Sequence, residues 1–254
     1  MKATAKTPAP WPYPRWIAHR GAGKLAPENT LAAFRLGAAH GFRMFECDAK
    51  LSADGVPFLL HDSSLERTSN GRGRAGDLPW SALSQLDAGG WHSRAYAGEP
   101  LATLEGLIRF CLANRHALNI EIKPTPGLEA ATGDAVARKT TALWSDPTLA
   151  PPLLSSFAPE ALRAARAAEP ALPRGLLLDR LQPDWLESAV ALDCAAVICH
   201  YALWDAATVA QVHAQGMRAL SYTVNDEWAA RHLEALGTDG IITDRVDLFA
   251  PAQD

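Results

Sequence analysis

No stretch of the chain approaches the roughly 18 unbroken apolar residues that a membrane-spanning helix needs. The N-terminal segment MKATAKTPAPWPYPRW also lacks the apolar run of a secretory signal, and Pro8, Pro10, Pro12 and Pro14 rule out a helix there. It reads as an extended Pro-rich tail over residues 1–15, and a cytoplasmic location is the expectation. Cysteine is scarce. Cys47, Cys111, Cys194 and Cys199 form no C-x-x-C pair, which argues against a zinc knuckle or redox motif and suits reduced, buried thiols. A basic excess is missing too: 24 Lys and Arg stand against 28 Asp and Glu, for a net charge of −4. A nucleic-acid backbone is therefore an unsuitable partner, and any anionic substrate must be held by a local cationic site. Beyond the Pro-rich tail there is neither an internal repeat nor a low-complexity tract.

What is present is 254 residues with 48% apolar side chains, enough for one large α/β core. Trp16-Ile17-Ala18 reads as a first strand ending at His19, followed by a helix over Leu31 to Ala39 that closes at Gly41. Phe42 to Leu51 is a second strand, and Val56 to Leu60 is an apolar run too close to it for a parallel crossover. The two are expected to form a hairpin around 52–55 that sets Glu46 roughly opposite His61. Residues 63–102 carry turn chemistry and read as an insertion over the mouth, with one short helix from Pro79 to Leu86 capped by Asp77. A helix follows from Leu104 to Ala113, then a strand from Leu118 to Lys123.

From there strand and helix alternate. Strands are expected at Leu153–Ser156, Gly175–Leu178, Ala196–Cys199, Ala219–Val224 and Gly240–Thr243, with helices near 128–144, 159–168, 184–192, 205–215 and 226–236. Setting the hairpin arm aside, eight strands joined by helices predict a TIM (β/α)₈ barrel over residues 16–254. Working residues of such a barrel gather at the C-terminal ends of its strands, where His19, Glu46, Asp48, Glu121 and Lys123 fall.

Strand alternation puts Glu46 and Asp48 on one face, and Glu121 and Lys123 on another. Three inward carboxylates without a thiolate suit a hard divalent cation such as Mg²⁺ or Ca²⁺. The competing reading is a set of barrel salt bridges from Glu121 to Lys123 or Arg20. Two histidines flanking such a site, His19 and His61, suggest acid/base work. Arg20 and Lys123 are placed to hold a phosphate, to pair with the same carboxylates, or both. His40, His92, His116, His200, His213 and His232 read as ordinary core or surface residues.

A set of short motifs runs in order along the chain: His19-Arg20-Gly21, Pro27-Glu28-Asn29-Thr30, Glu46-Cys47-Asp48, Asp54-Gly55, His61-Asp62, Arg67-Thr68 with Asn70-Gly71, and Glu121-Ile122-Lys123. Ser155-Ser156-Phe157, Thr223-Val224-Asn225 and Gly240-Ile241-Ile242-Thr243-Asp244 complete it. In these motifs the sequence resembles the glycerophosphodiester phosphodiesterase family, from about Trp16 to Asp244. The resemblance implies a TIM barrel with a small insertion, His19 and His61 as the acid/base pair, and Glu46, Asp48 and Glu121 as ligands of a divalent metal. It implies phosphate contacts from Arg20 and Lys123, and hydrolysis of a small-molecule glycerophosphodiester to glycerol 3-phosphate and an alcohol, in this family through a cyclic phosphate where the glycerol 2-hydroxyl attacks first. The sequence departs from the pattern at Tyr222, where the family commonly has Trp, and at Thr68-Ser69, where it has Thr-Thr. Tyr222 is the residue expected to bear on substrate breadth.

Two other readings remain at this level. A lysophospholipase D or phosphoinositide phospholipase on the same barrel would need an apolar groove, which Trp80, Trp91 and Tyr96 could supply if they do not form a small satellite core. A non-catalytic phosphodiester-binding barrel would not need two histidines. Head-group alcohol, native metal and oligomeric state are not encoded legibly.

Overall fold

The computed structural model describes residues 11–249 and 251. In chain order the elements are β1 (Trp16–Ala18), α1 (Leu31–Ala39), β2 (Met44–Leu51), β3 (Pro57–Leu59), α2 (Trp80–Leu83), α3 (Leu104–Asn114), β4 (Ala117–Ile122) and α4 (Glu129–Leu143). They continue as β5 (Leu153–Ser156), α5 (Pro159–Ala168), β6 (Arg174–Leu178), α6 (Trp185–Ala191), β7 (Ala196–His200), α7 (Ala206–Ala214), β8 (Arg218–Tyr222), α8 (Glu227–Leu236) and β9 (Gly240–Thr243). Eight parallel strands pair in the circle β1-β2-β4-β5-β6-β7-β8-β9, and β9 returns to β1 through Trp16↔Ile241 to Ala18↔Thr243. This closed parallel barrel with intervening helices is the expected (β/α)₈ architecture. Among the described residues no helix is long and apolar enough to cross a membrane.

β2 is the longest strand because, while one edge pairs with β4 from Met44 to Ala49, its other edge serves two partners in turn. Its lower part pairs with β1 at Ala18↔Phe45, and its upper part rises past the rim to pair antiparallel with β3, Ala49↔Leu59 to Leu51↔Pro57. Successive side chains on a strand face opposite ways. Phe45, Cys47 and Ala49 thus join the layer between barrel and helices, with Leu118, Ile120 and Ile122 of β4. The barrel interior is a separate apolar plug of Ile17, Met44, Leu153, Leu177, Ala196, Ile198, Leu220 and Ile242. The four cysteines are free and buried.

Two local expectations change. Residues 1–10 of the expected tail lie outside the described residues, but Trp11 and Tyr13 pack onto the interior plug, and the Tyr13 hydroxyl donates to the Pro151 carbonyl. Asp77 does not cap α2. The cap comes from the hairpin turn instead, where Asp54 Oδ1 accepts the Trp80 N–H at 2.9 Å. Trp80 packs on a satellite core of Phe58, Leu60, Leu65, Ala75, Leu83, Ala88 and Leu101 that the 63–102 segment builds over β3. Tyr96 packs on the main core, and Trp91 is exposed with its indole N–H given to the Ala88 carbonyl.

One close approach ties fold to site. Gly37 on α1 lies against the loop after β1, and a Cβ there would sit 2.1 Å from the Gly21 carbonyl oxygen and 2.9 Å from the Phe45 ring. Gly→Ala in an open helix gains about 1 kcal/mol. At Gly37 we expect Ala to cost about 1–3 kcal/mol instead, because the obstructing atom is backbone. A urea midpoint at or above wild type for Gly37→Ala would refute this tight contact.

Candidate active site

The strand ends at the rim carry the predicted residues. His19 and Arg20 leave β1, held by His19 N–H to the Thr243 carbonyl at 2.9 Å. Arg20 then adopts φ 52° and Asn29 φ 60°, left-handed values that side-chain-bearing residues rarely take. Both strained residues are fixed to the same place. Arg20 N–H donates to Glu46 Oε2 at 3.0 Å. Asn29 accepts the Asp48 backbone N–H at 3.0 Å and donates its amide to Asp48 Oδ2 at 2.7 Å.

Glu46, Asp48 and Glu121 converge, each buried, with one oxygen from each inside a 4.8 Å circle. Burial first, then the charge of Asp48, pushes Glu46 up to about 8 and raises Glu121. Burial works the same way on Asp48, but Arg20, His61, Lys123 and the Asn29 amide outweigh it and hold that carboxylate below its usual range. Glu46 Oε1 and Asp48 Oδ1 are buried without any hydrogen-bond partner. Unpaired buried carboxylate oxygens are costly. A donor set of oxygens alone, turned inward and partnerless, fits a hard divalent cation.

The histidines flank this cluster. His19 Nε2 lies 3.9 Å from Glu46 Oε2, while its Nδ1 meets Asp244 Oδ1 at 2.6 Å. Burial opposes a charge on His19, yet the Asp244 bond and Glu46 raise its affinity for a proton. His61 Nδ1 meets Asp62 Oδ1 at 2.7 Å, and burial and Arg20 lower its proton affinity although Asp48 opposes them. The hairpin register differs from expectation by one step: the β2–β3 ladder runs on to a Leu60 N–H to Asp48 carbonyl bond, after which His61 leaves the strand and lines the cavity.

Arg20 Nε stands 3.1 Å from Asp48 Oδ2, out of line for a hydrogen bond, and Arg20 NH1 donates to Glu28 at 2.8 Å. Lys123 Nζ donates to Glu121 Oε1 at 2.7 Å and lies 5.3 Å from the Phe157 ring centre. The salt-bridge reading and the phosphate-holding reading of these cations are thus compatible. A cavity of about 210 Å³ is lined by His19, Arg20, Glu46, His61, Glu121, Lys123 and Tyr222, so it brings together every predicted site residue but Asp48, whose carboxylate is buried within 4.8 Å of those of Glu46 and Glu121. Asn119, Ser155, Leu177 and Ile242 also line it. Tyr222 donates its hydroxyl to the Leu178 carbonyl at 3.1 Å and meets Phe157 edge to face.

Several participants escaped the sequence reading. Asp244 and Asp62 orient the histidines, and Asn29 clamps Asp48. All three sit in loops, where no periodicity marks a side chain's direction. Lys50 was legible: it shares the strand face of Glu46 and Asp48, is fully buried, and donates to the Lys123 carbonyl at 2.8 Å. Burial lowers its ammonium to about 8.

Comparison with known proteins identifies the family of the chain. The model of the glycerophosphoryl diester phosphodiesterase family matches residues 19–248. A glycerophosphodiester phosphodiesterase of Caldanaerobacter subterraneus subsp. tengcongensis is 30% identical over 233 residues, covering 90% of this chain and 93% of that one. A phosphodiesterase of Oleispira antarctica, solved in complex with the product sn-glycerol-3-phosphate, has a TM-score of 0.87 at 38% identity over 91% of this chain and 93% of that one. A glycerophosphodiester phosphodiesterase of Agrobacterium tumefaciens str. C58 has a TM-score of 0.76 at 27% identity, covering 93% and 99%.

The raised Glu46 carboxyl makes stability depend on pH. The folded state holds this proton more tightly than the unfolded state, so its contribution is complete below about 4.5 and is lost as pH climbs to about 8. With divalent ions chelated, wild type should lose melting temperature between pH 5 and 8 more steeply than Glu46→Gln, by thermal denaturation at a series of pH values (~5 to ~8). Equal slopes would mean that Glu46 is not the group titrating.

Proposed function

Because the chain belongs to the glycerophosphoryl diester phosphodiesterase family, we propose that it hydrolyses glycerophosphodiesters with His19 as general base and His61 as general acid. The observation that carries the reading is the placement of the two imidazoles. Each has its Nδ1 engaged by its own carboxylate, Asp244 or Asp62; His19 Nε2 lies 3.9 Å from Glu46 Oε2, and His61 lines the same cavity as Glu46 and Glu121.

The two histidines border different spaces. His61 lines both the inner cavity and a more open one of about 380 Å³, shared with Lys50, Ser63, Lys123, Pro124 and Ser156. Of these two spaces His19 lines the inner one. In our reading the glycerol occupies the inner cavity against Tyr222, and the alcohol leaves through the outer one. The buried Asn119 amide, held by Ser155 and with its NH₂ unpaired, offers a donor to a glycerol hydroxyl. His19 takes the proton from the attacking hydroxyl, that of water or of the glycerol; where the glycerol attacks, the product of this step is a cyclic phosphate, which a water then opens to glycerol 3-phosphate with the two histidines exchanging roles. The new O–P bond forms as the P–O bond to the alcohol breaks, and His61 gives its proton to the departing oxygen. Arg20 and Lys123 hold the phosphoryl oxygens and offset the charge growing on them.

Glu46, Asp48 and Glu121 would hold a divalent cation, Mg²⁺ or Ca²⁺, which when bound supplies Lewis-acid stabilisation of the phosphoryl oxygens. The four buried, unpaired thiols suit a reducing compartment, and we place the enzyme in the cytoplasm. A second reading has one supporting observation. A cavity of about 370 Å³, lined by Leu176, Leu178 and Trp185 and by Asp179, Arg180 and Asp184 as well, adjoins the inner cavity at Phe157 and Leu177 and offers room for an acyl chain on the glycerol. Comparing turnover of glycerophosphocholine with that of lysophosphatidylcholine separates the two.

His19→Ala and His61→Ala should each lower turnover of glycerophosphocholine by at least ~10²-fold while calorimetry still shows dication binding. Near-full activity in both would overturn the roles. A panel of glycerophosphodiesters assayed with each dication after chelator treatment should show activity lost and restored. Glu121→Gln should raise the dication concentration needed for half-maximal activity; activity indifferent to chelation would remove the metal from the scheme.

A further inference from the structure

One side chain outside the cluster is bonded more heavily than a surface residue needs to be. Arg67, nearly half exposed in the segment after β3, lays its guanidinium between two carboxylates as a double fork. Nε and NH2 reach Asp62 at 2.6 and 3.0 Å, and NH1 and NH2 reach Glu28 at 2.7 and 2.8 Å. Isolated surface ion pairs contribute little, but bidentate Arg–carboxylate geometry fixes both distance and plane. Each carboxylate has a second task. Asp62 is bonded to His61 Nδ1, and Glu28 accepts from Arg20 NH1. The bonds therefore run without a gap from His61 through Asp62, Arg67 and Glu28 to Arg20, joining the loop after β3 to the loop after β1.

We propose that Arg67 and Glu28 form a positioning strut that fixes His61 relative to the phosphate-holding Arg20, so that the imidazole meets the departing alcohol oxygen. The strut rests on the general-acid reading of His61. Neither Arg67 nor Glu28 lines the inner or the outer cavity. Both act through a neighbour, so they are positioning residues rather than catalytic ones. A Lys at position 67 would keep the charge but not the planar fork.

The leaving group separates positioning from mere stability. Choline must be protonated as it departs, whereas p-nitrophenolate leaves unprotonated. Arg67→Met should therefore lower kcat on glycerophosphocholine by about 10–100-fold, within the range general acid catalysis contributes, and leave its KM within about threefold. On the p-nitrophenyl ester of glycerol 3-phosphate the same variant should lose less than about threefold in kcat. Arg67→Lys should keep most of the defect on the choline ester, and melting curves confirm that each variant is folded. His61→Ala, measured alongside, should show the same dependence on leaving group in exaggerated form. If His61→Ala loses both substrates equally, the acid reading fails and the strut with it. If His61→Ala discriminates but Arg67→Met loses both equally or neither, or Arg67→Lys matches wild type on the choline ester, the strut alone is overturned.

Discussion

Three carboxylates held within 4.8 Å of one another, away from water, are the constraint on which the rest of this structure turns. Like charges at that spacing in a low-dielectric interior repel strongly, and burial adds its own penalty. The protein meets the repulsion unevenly. Asp48 is kept charged by Arg20, Lys123 and the Asn29 amide, whereas Glu46 retains its proton up to about 8. Without a cation the cluster therefore carries less than its formal charge. A dication would let all three ionise, which is the physical support for the proposed metal site.

The fold is arranged to make that cluster possible. β2 contributes Glu46 and Asp48 from one face while its other face, Phe45, Cys47 and Ala49, is sealed against the helices. Beneath the acids the interior passes through a polar layer, Asn119 and Ser155, to an apolar plug that Trp11 and Tyr13 cover from below. The charged groups are thus confined to the rim. Because β2 projects beyond the barrel, β3 can pair with it there and deliver His61 to the cavity that His19 also lines.

How much of this was legible follows from what periodicity can express. Eight strands and their order were readable because strand and helix patterns alternate, and most ends fell within two residues. The two-residue period put Glu46 with Asp48, and Glu121 with Lys123, on shared faces, and the barrel expectation turned those faces inward. The hairpin register slipped by one, since a turn's length in sequence does not say which residue pairs last. What was missed was carried by loops. Asp77 appeared to cap α2, yet Asp54 does so from another part of the chain. Asp244, Asp62, Glu28 and Arg67 stood inside the matched motifs, but a motif names residues without saying what they touch.

The loops also share a construction that becomes visible only in three dimensions. Asn29 accepts the backbone N–H of Asp48 and donates its amide to that residue's carboxylate, at 3.0 and 2.7 Å. Asn225 does the same to Asp244, at 2.9 Å in both bonds. An Asn side chain that grips one residue at two points fixes the carboxylate relative to its own backbone, without adding charge. That suits Asp48 and Asp244, which stand closest to the acid cluster and to His19, where a further cation would compete for the triad. Asp62 lies farther out and is partly open to solvent, so an arginine can orient it instead, and the charge that Arg67 brings is balanced by Glu28. The two histidines are thus held by equivalent bonds at Nδ1 but by unlike supports, a neutral clamp where the field is crowded and an ionic one where it is not.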